Sequence, residues 1–240
     1  MSLRFILSTC LCSCLVVALA TPTVRAQAPA QSSSSTSSPT TAPAKQVKRS
    51  APAAVSRLDA GSVSKGVYRN AGFGFTCKIP AGWVLRTEEL NAREEEDAKN
   101  NAAKAAPGAG NAGRVLLAAF SRPPEARGED VNASILIAAE SAAAYPGLKD
   151  AAQYFGPLGE VAKARGFEML DDPYEFVMGK KTVVRGDFEM DVGTRVMRQS
   201  TLAVLARGYA VSFTFIGGTE DEVEELVEGL SFGAGGTPKK

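Results

Sequence analysis

Three carboxylates recur at every second residue in Asp187-Phe-Glu189-Met-Asp191, and Glu175 stands one predicted strand upstream. A spacing of two puts side chains on one face of a β-strand. Two carboxylates that converge in a concave site with raised pKa values can divide the roles of general acid and general base, so this quartet is the chain's candidate for hydrolytic chemistry. The same stretch carries Arg185, and Arg195 and Arg198 return after the Val192-Gly193 turn. Opposite charges meeting across strands stabilise a hairpin, and that arrangement assigns the face a structural role instead. A second acidic run, Glu94-Glu-Glu-Asp97, falls within a predicted helix. It lacks the glycine-turned loop of alternating oxygen ligands that a calcium site needs, so it reads as a solvated acidic face.

The residues that are missing exclude more than those present suggest. The chain has no histidine and four cysteines, of which Cys10, Cys12 and Cys14 lie in the first fourteen residues. Without an imidazole there is no Ser–His–Asp or Cys–His nucleophile system. Once the N-terminal segment is removed, Cys77 is the sole thiol, so neither an intramolecular disulfide nor a Cys/His zinc site can form. Cys77 falls on the same alternating face as Phe75 and Ile79 and reads as a small core residue. Accordingly no catalytic, cofactor-binding or metal-ligating residue is expected.

The first residues specify a destination. Arg4, the largely apolar run Phe5–Ala20 and a small-residue site have the order of a secretory signal peptide, with cleavage after Ala26 favoured because Pro22 ends the apolar helix shortly before it, and Ala20 the alternative. The apolar run is shorter than the roughly 20 residues that cross a bilayer, so no stable membrane span is expected. The expected destination is periplasmic or secreted; lipid attachment through Cys10 or Cys14 is the minority alternative. The 27 Lys and Arg fall to 25 when Arg4 and Arg25 leave, against 26 Asp and Glu, for a net charge near −1. That balance lacks the concentrated basic face of a nucleic-acid binder. Residues 27–62, dense in Ser, Thr, Pro and Ala, read as a disordered linker, residues 63–232 as one folded domain, and 233–240 as a flexible tail.

The domain must be built mainly from strands. Phe73, Phe75, Cys77 and Ile79 alternate with Gly74, Thr76 and Lys78, and Pro80-Ala-Gly-Trp83 is a turn. The stretch 87–106 predicts a helix with Leu90 as its one large aliphatic residue, hence a solvated or loosely docked element. Residues 114–121 and 133–140 read as continuous apolar strands, and Asn132-Ala-Ser134 matches a glycosylation acceptor pattern of low specificity. Residues 148–165 predict helix broken at Gly156-Pro157. Residues 167–170, 174–178, 181–191, 194–207 and 209–217 predict consecutive strands, and 219–230 a helix with a Thr219-x-x-Glu222 capping box. An antiparallel sheet covered by helices follows, an α+β class.

These residues also carry a resemblance. Tyr68-Arg-Asn-x-x-Phe73-Gly-Phe75 with Ile79-Pro80-x-Gly82-Trp83 resembles the opening hairpin of the Mog1/PsbP-like superfamily, and Gly208-Tyr-Ala-Val-Ser-Phe213 before a Glu-rich helix resembles its close. The resemblance implies an α/β/α sandwich and a non-catalytic binding or assembly domain; the helix Glu88–Asp97 stands out as an insertion. The leading expectation is an exported envelope domain that binds a protein partner. The alternatives are a small-ligand or lipid carrier with a pocket between sheet and helices, and the carboxylate hydrolase above.

Overall fold

The computed structural model describes residues 58–101, 113–126, 128 and 130–233. The expected signal segment with Ala20 and Ala26, nearly all of the expected linker and the C-terminal tail lie outside the described residues. Among the described residues, twelve strands and three helices follow in the order β1 (Ser62–Ser64), β2 (Val67–Asn70), β3 (Phe75–Lys78), β4 (Val84–Leu85), α1 (Thr87–Asn101), β5 (Gly113–Phe120), β6 (Ser134–Ser141), α2 (Ala151–Ala164), β7 (Glu168–Met169), β8 (Tyr174–Met178), β9 (Lys181–Val192), β10 (Arg195–Ala206), β11 (Tyr209–Gly217), α3 (Glu220–Glu228) and β12 (Leu230–Phe232), with a 3-10 turn at Ala142–Ala144. The fold is α+β with antiparallel pairing throughout, the class read from the residue pattern.

The strands form two sheets. The larger has the order β4-β5-β6-β11-β10-β9-β7, with β8 also pairing β9, and the smaller the order β1-β2-β3-β12. The second sheet is the feature that local pattern does not supply: Leu230, expected as the last residue of the final helix, instead opens the strand Leu230–Phe232, which pairs with β3 and sets Phe232 opposite Phe75.

Alternation along the long strands sorts the core. Val183, Leu202, Val211, Phe213 and Phe215 face one way and pack with Tyr68, Phe75 and Cys77 of the small sheet and Val223, Leu226 and Val227 of α3. Val184, Phe188, Ala203 and Ala210 face the other way and receive Tyr154, Phe155 and Ala162 of α2. Beside them Leu90 of α1 packs on Val115, Ala118 and Phe120. The large sheet is thus the middle layer, with the small sheet and α3 on one face and α1 and α2 on the other.

Two helices depart from expectation. α2 is continuous through Gly156-Pro157. Proline inside a helix removes one backbone hydrogen bond and costs about 3 kcal/mol. The buried stripe of Tyr154, Phe155 and Ala162 offsets that loss, and Asp150 caps the helix by accepting from Gln153 N–H at 2.9 Å. Gly186 of β9 makes the packing possible, because a Cβ there would stand 2.6 Å from the Phe155 ring. α1 is firmly docked rather than loose. Asn91, buried, donates to the Val115 carbonyl at 2.9 Å and accepts from its N–H at 3.0 Å, satisfying the strand where its register shifts between Val115 and Leu117. Thr87 Oγ1 accepts from Ala118 N–H at 2.9 Å.

The capping box on α3 forms in a shifted version. Glu222 N–H donates to Thr219 Oγ1 at 3.2 Å, while the Glu222 carboxylate accepts from Gly218 N–H at 2.7 Å, one residue earlier than the standard pattern.

The central core makes a stability prediction. Phe213, fully buried, stacks edge-on against Phe75 and Phe232 at 4.8 and 5.5 Å. Phe213→Ala is expected to lower the unfolding free energy by about 3–5 kcal/mol in a urea titration. A loss under about 1 kcal/mol would mean that the two sheets are not held together there.

Candidate functional site

The first candidate surface is built by a short hairpin and a turn. β1 and β2 are joined by Lys65-Gly66, both with positive φ (51° and 70°), the backbone of a two-residue turn whose twist suits a hairpin. Ile79 N–H donates to the Gly66 carbonyl at 2.7 Å and so draws the tip of this hairpin onto the end of β3. The chain then turns through Pro80-Ala-Gly-Trp83, closed by a weak 3.4 Å bond from Trp83 N–H to the Pro80 carbonyl, and enters β4. Between hairpin and turn lies an open groove of about 630 Å³, lined by Val63, Lys65, Lys78, Ile79, Trp83 and Leu85 among others.

Its chemistry is apolar with a cationic margin. Trp83, half-buried, packs against the central core and lines the groove. Val63 and Leu85, 41% and 46% exposed, add apolar surface to its walls. Lys65 and Lys78 are exposed on the same rim. The bordering strands β1 and β4 are each the outermost strand of their sheet.

A second cluster sits on the opposite face of the large sheet. Glu140, only 6% exposed, ends the apolar run of β6 and accepts a hydrogen bond from Tyr145 Oη just beyond the 3-10 turn. Tyr154 of α2 stacks edge-on on Tyr145 at 5.2 Å and also hydrogen-bonds the Glu140 carboxyl. Burial pushes the Glu140 carboxyl up, against the pull of the two phenol hydrogen bonds. Burial, then the negative charges of Glu140 and Asp97, push Glu94 of α1 up to about 7. Both tyrosines are held protonated chiefly by burial. This buried carboxyl, shared by two phenols, binds its proton more tightly than an exposed glutamate, and its hydrogen bonds tie α2 to β6.

The residues singled out from the sequence are scattered. Asp187 is paired with Arg185 at 2.9 Å, and Arg185 also holds Glu224 of α3. Glu189 pairs with Arg198 directly across β9 and β10 at 3.3 Å. Asp191 is exposed near the end of β9. Glu175 stands opposite Val184, hence on the other face of the sheet from the three carboxylates of β9. The quartet does not converge in a concave site, and the hydrolase expectation loses its geometry. Of the acidic run on α1, Glu95, Glu96 and Asp97 are exposed, but Glu94 turns inward toward Glu140 and departs from the solvated face expected of it. Cys77 is buried, its thiol pushed up to about 12 by burial, as a core residue should be. Among the described residues no group of three or more Cys, Asp or Glu is placed to hold a metal ion, and no helix is long and apolar enough to cross a membrane. The carrier alternative needs space between the layers, but Phe75, Phe213, Phe215 and Phe232 fill the region between the sheets. In the sequence Glu140 stands as a lone carboxylate closing an apolar strand.

No family model matches the chain, and no curated protein matches it. Among solved structures it is similar to the cyanobacterial PsbP (CyanoP) of Synechocystis, at 14% identity and a TM-score of 0.42 over 72% of this chain and 96% of that one. It is similar to LpqN of Mycobacterium tuberculosis, a protein involved in cell envelope biogenesis, at 11% identity and a TM-score of 0.32 over 65% and 82%. A Pseudomonas aeruginosa protein of unknown function matches at 16% identity and a TM-score of 0.32 over 43% and 70%.

The buried carboxyls fix the direction of a pH response. Glu140 and Glu94 hold protons more tightly folded than unfolded, so the folded state binds more protons above the usual glutamate range, for Glu94 up to about 7. Their contribution is full in mild acid and is lost as pH rises through that window. Glu89 and Glu125, held below the usual range mainly by hydrogen bonds from Arg86, act in the opposite sense only at lower pH. Glu140→Gln keeps a carbonyl acceptor for the tyrosines but cannot ionise. Urea unfolding at about pH 5 and about pH 8 is expected to show a smaller loss in the variant than in the natural chain; equal losses would remove Glu140 from the account.

Proposed function

We propose that this chain is an exported, non-catalytic binding module of the cell envelope, and that its recognition surface is the groove between the β1–β2 hairpin and the Pro80–Trp83 turn. In this reading residues 1–26 direct export and are removed after Ala26, with Ala20 the alternative. The observation that carries the proposal is the groove itself: Trp83, Val63 and Leu85 offer apolar contact beside the outermost strands of both sheets. Aromatic anchors set in a partly enclosed, apolar setting are the usual centres of binding energy. With Lys65 and Lys78 on the rim, the partner that fits is an extended protein segment with apolar side chains and carboxylates, lying along the edge of β1 or β4.

Site-specific photo-crosslinking in intact envelopes tests this. A photoreactive residue at Leu85 is expected to give one discrete adduct, and the same residue at exposed Glu160 of α2 none. Trp83→Ala is expected to weaken the interaction by about 2 kcal/mol, the size of an aromatic hot spot. Adducts of equal yield from both positions, or none from Leu85, would overturn the assignment of the groove.

A further inference from the structure

The opposite border of the large sheet carries a second set of exposed apolar residues. Met169 and Leu170 of and just after β7 are 37% and 46% exposed, and Tyr174 and Val177 of β8 are 48% and 71% exposed. β7 and β8 both pair with β9, at Glu189–Phe188 and at Arg185–Lys181, so together they form one interrupted outer strand. Among the described residues β8 pairs with no strand other than β9. The Gly179-Lys180 turn sets Met178 opposite Lys181. Alternation of the antiparallel ladder then directs the backbone groups of Tyr174, Phe176 and Met178 toward β9, and those of Glu175 and Val177 outward. An apolar strand with outward backbone donors and acceptors is a template for another strand.

The charges along this edge identify which strand fits. Two acids, Asp171 and Asp172, precede it and two bases, Lys180 and Lys181, follow it, all exposed and none in an ion pair among the described residues. A segment acidic at one end and basic at the other complements itself when run antiparallel. We propose that β8 pairs with β8 of a second copy of this chain, around a two-fold axis through Phe176. Outward groups must meet outward groups. That register sets Glu175 against Val177 of the second copy and Tyr174 against its Met178, and brings Asp171–Asp172 beside its Lys180–Lys181. The contact is isologous and closes as a dimer.

Sedimentation of the full chain over a range of concentrations tests the proposal. The natural chain is expected to be a dimer that weakens with salt, and Val177→Lys to raise the dimer dissociation constant at least about tenfold with an unchanged far-UV spectrum. Two charge-reversed chains make the register specific. Lys180→Glu with Lys181→Glu is expected to stay monomeric, as is Asp171→Lys with Asp172→Lys, and a mixture of the two is expected to dimerise. A natural chain that is monomeric throughout overturns the proposal, as does a dimer indifferent to Val177→Lys, or a mixture that fails to associate.

Discussion

The aromatic contact between the two sheets is the constraint from which the rest follows. Phe75 of β3, Phe213 of β11 and Phe232 of β12 come from three separate parts of the chain, with ring centroids 4.8–6.0 Å apart. Edge-on and tilted rings at these distances combine area burial with favourable quadrupole geometry. The contact requires Leu230–Phe232 to leave α3 and pair with β3, which in turn completes the small sheet. Because that sheet is anchored at β3 and β12, its other end, the β1–β2 hairpin, projects beside the Pro80–Trp83 turn and the groove exists. Filling the space between layers and opening a groove at their rim are two results of one packing decision.

The other face of the large sheet is settled by polar groups. Asn91 satisfies the shifted backbone of β5, and Glu140 gathers Tyr145 and Tyr154 across β6 and α2. A buried carboxyl left ionised and alone would be strongly unfavourable, and here phenol donors and a raised pKa lower that cost. The Arg185–Glu224 pair performs the equivalent connection between β9 and α3. Of the carboxylates read as candidates for acid–base work, Glu189 instead joins β9 to β10 through Arg198, and Asp187 pairs with Arg185 on its own strand.

Much of the fold was legible where structure is local. β8 to β11 fall where apolar alternation and turn residues place them, since each strand pairs with its sequence neighbour and the hairpin turns lie between. The Thr219 cap likewise announces α3. What remained hidden depends on distant partners. β12 is three residues whose strand character comes from β3, about 150 residues earlier in the chain. The continuity of α2 through Pro157 depends on the sheet beneath it, and the docking of α1 depends on Asn91, a polar residue that an apolar-stripe argument passes over. The groove shows the same division: Pro80–Trp83 is readable as a turn, but the exposure of Leu85 and the nearness of Lys65 depend on how the first hairpin is drawn onto β3. Tyr145 and Tyr154 carry no local mark of their meeting at Glu140.

The proposed recognition lies on the rim and the edges of a filled domain, and not inside it. Equilibrium dialysis of the full chain against a fluorescent fatty acid addresses that division most directly. The packed layer of Phe75, Phe213, Phe215 and Phe232 predicts no saturable uptake. Stoichiometric, saturable binding that Phe213 substitutions abolish would contradict it, and would mean that the layers part to admit a ligand.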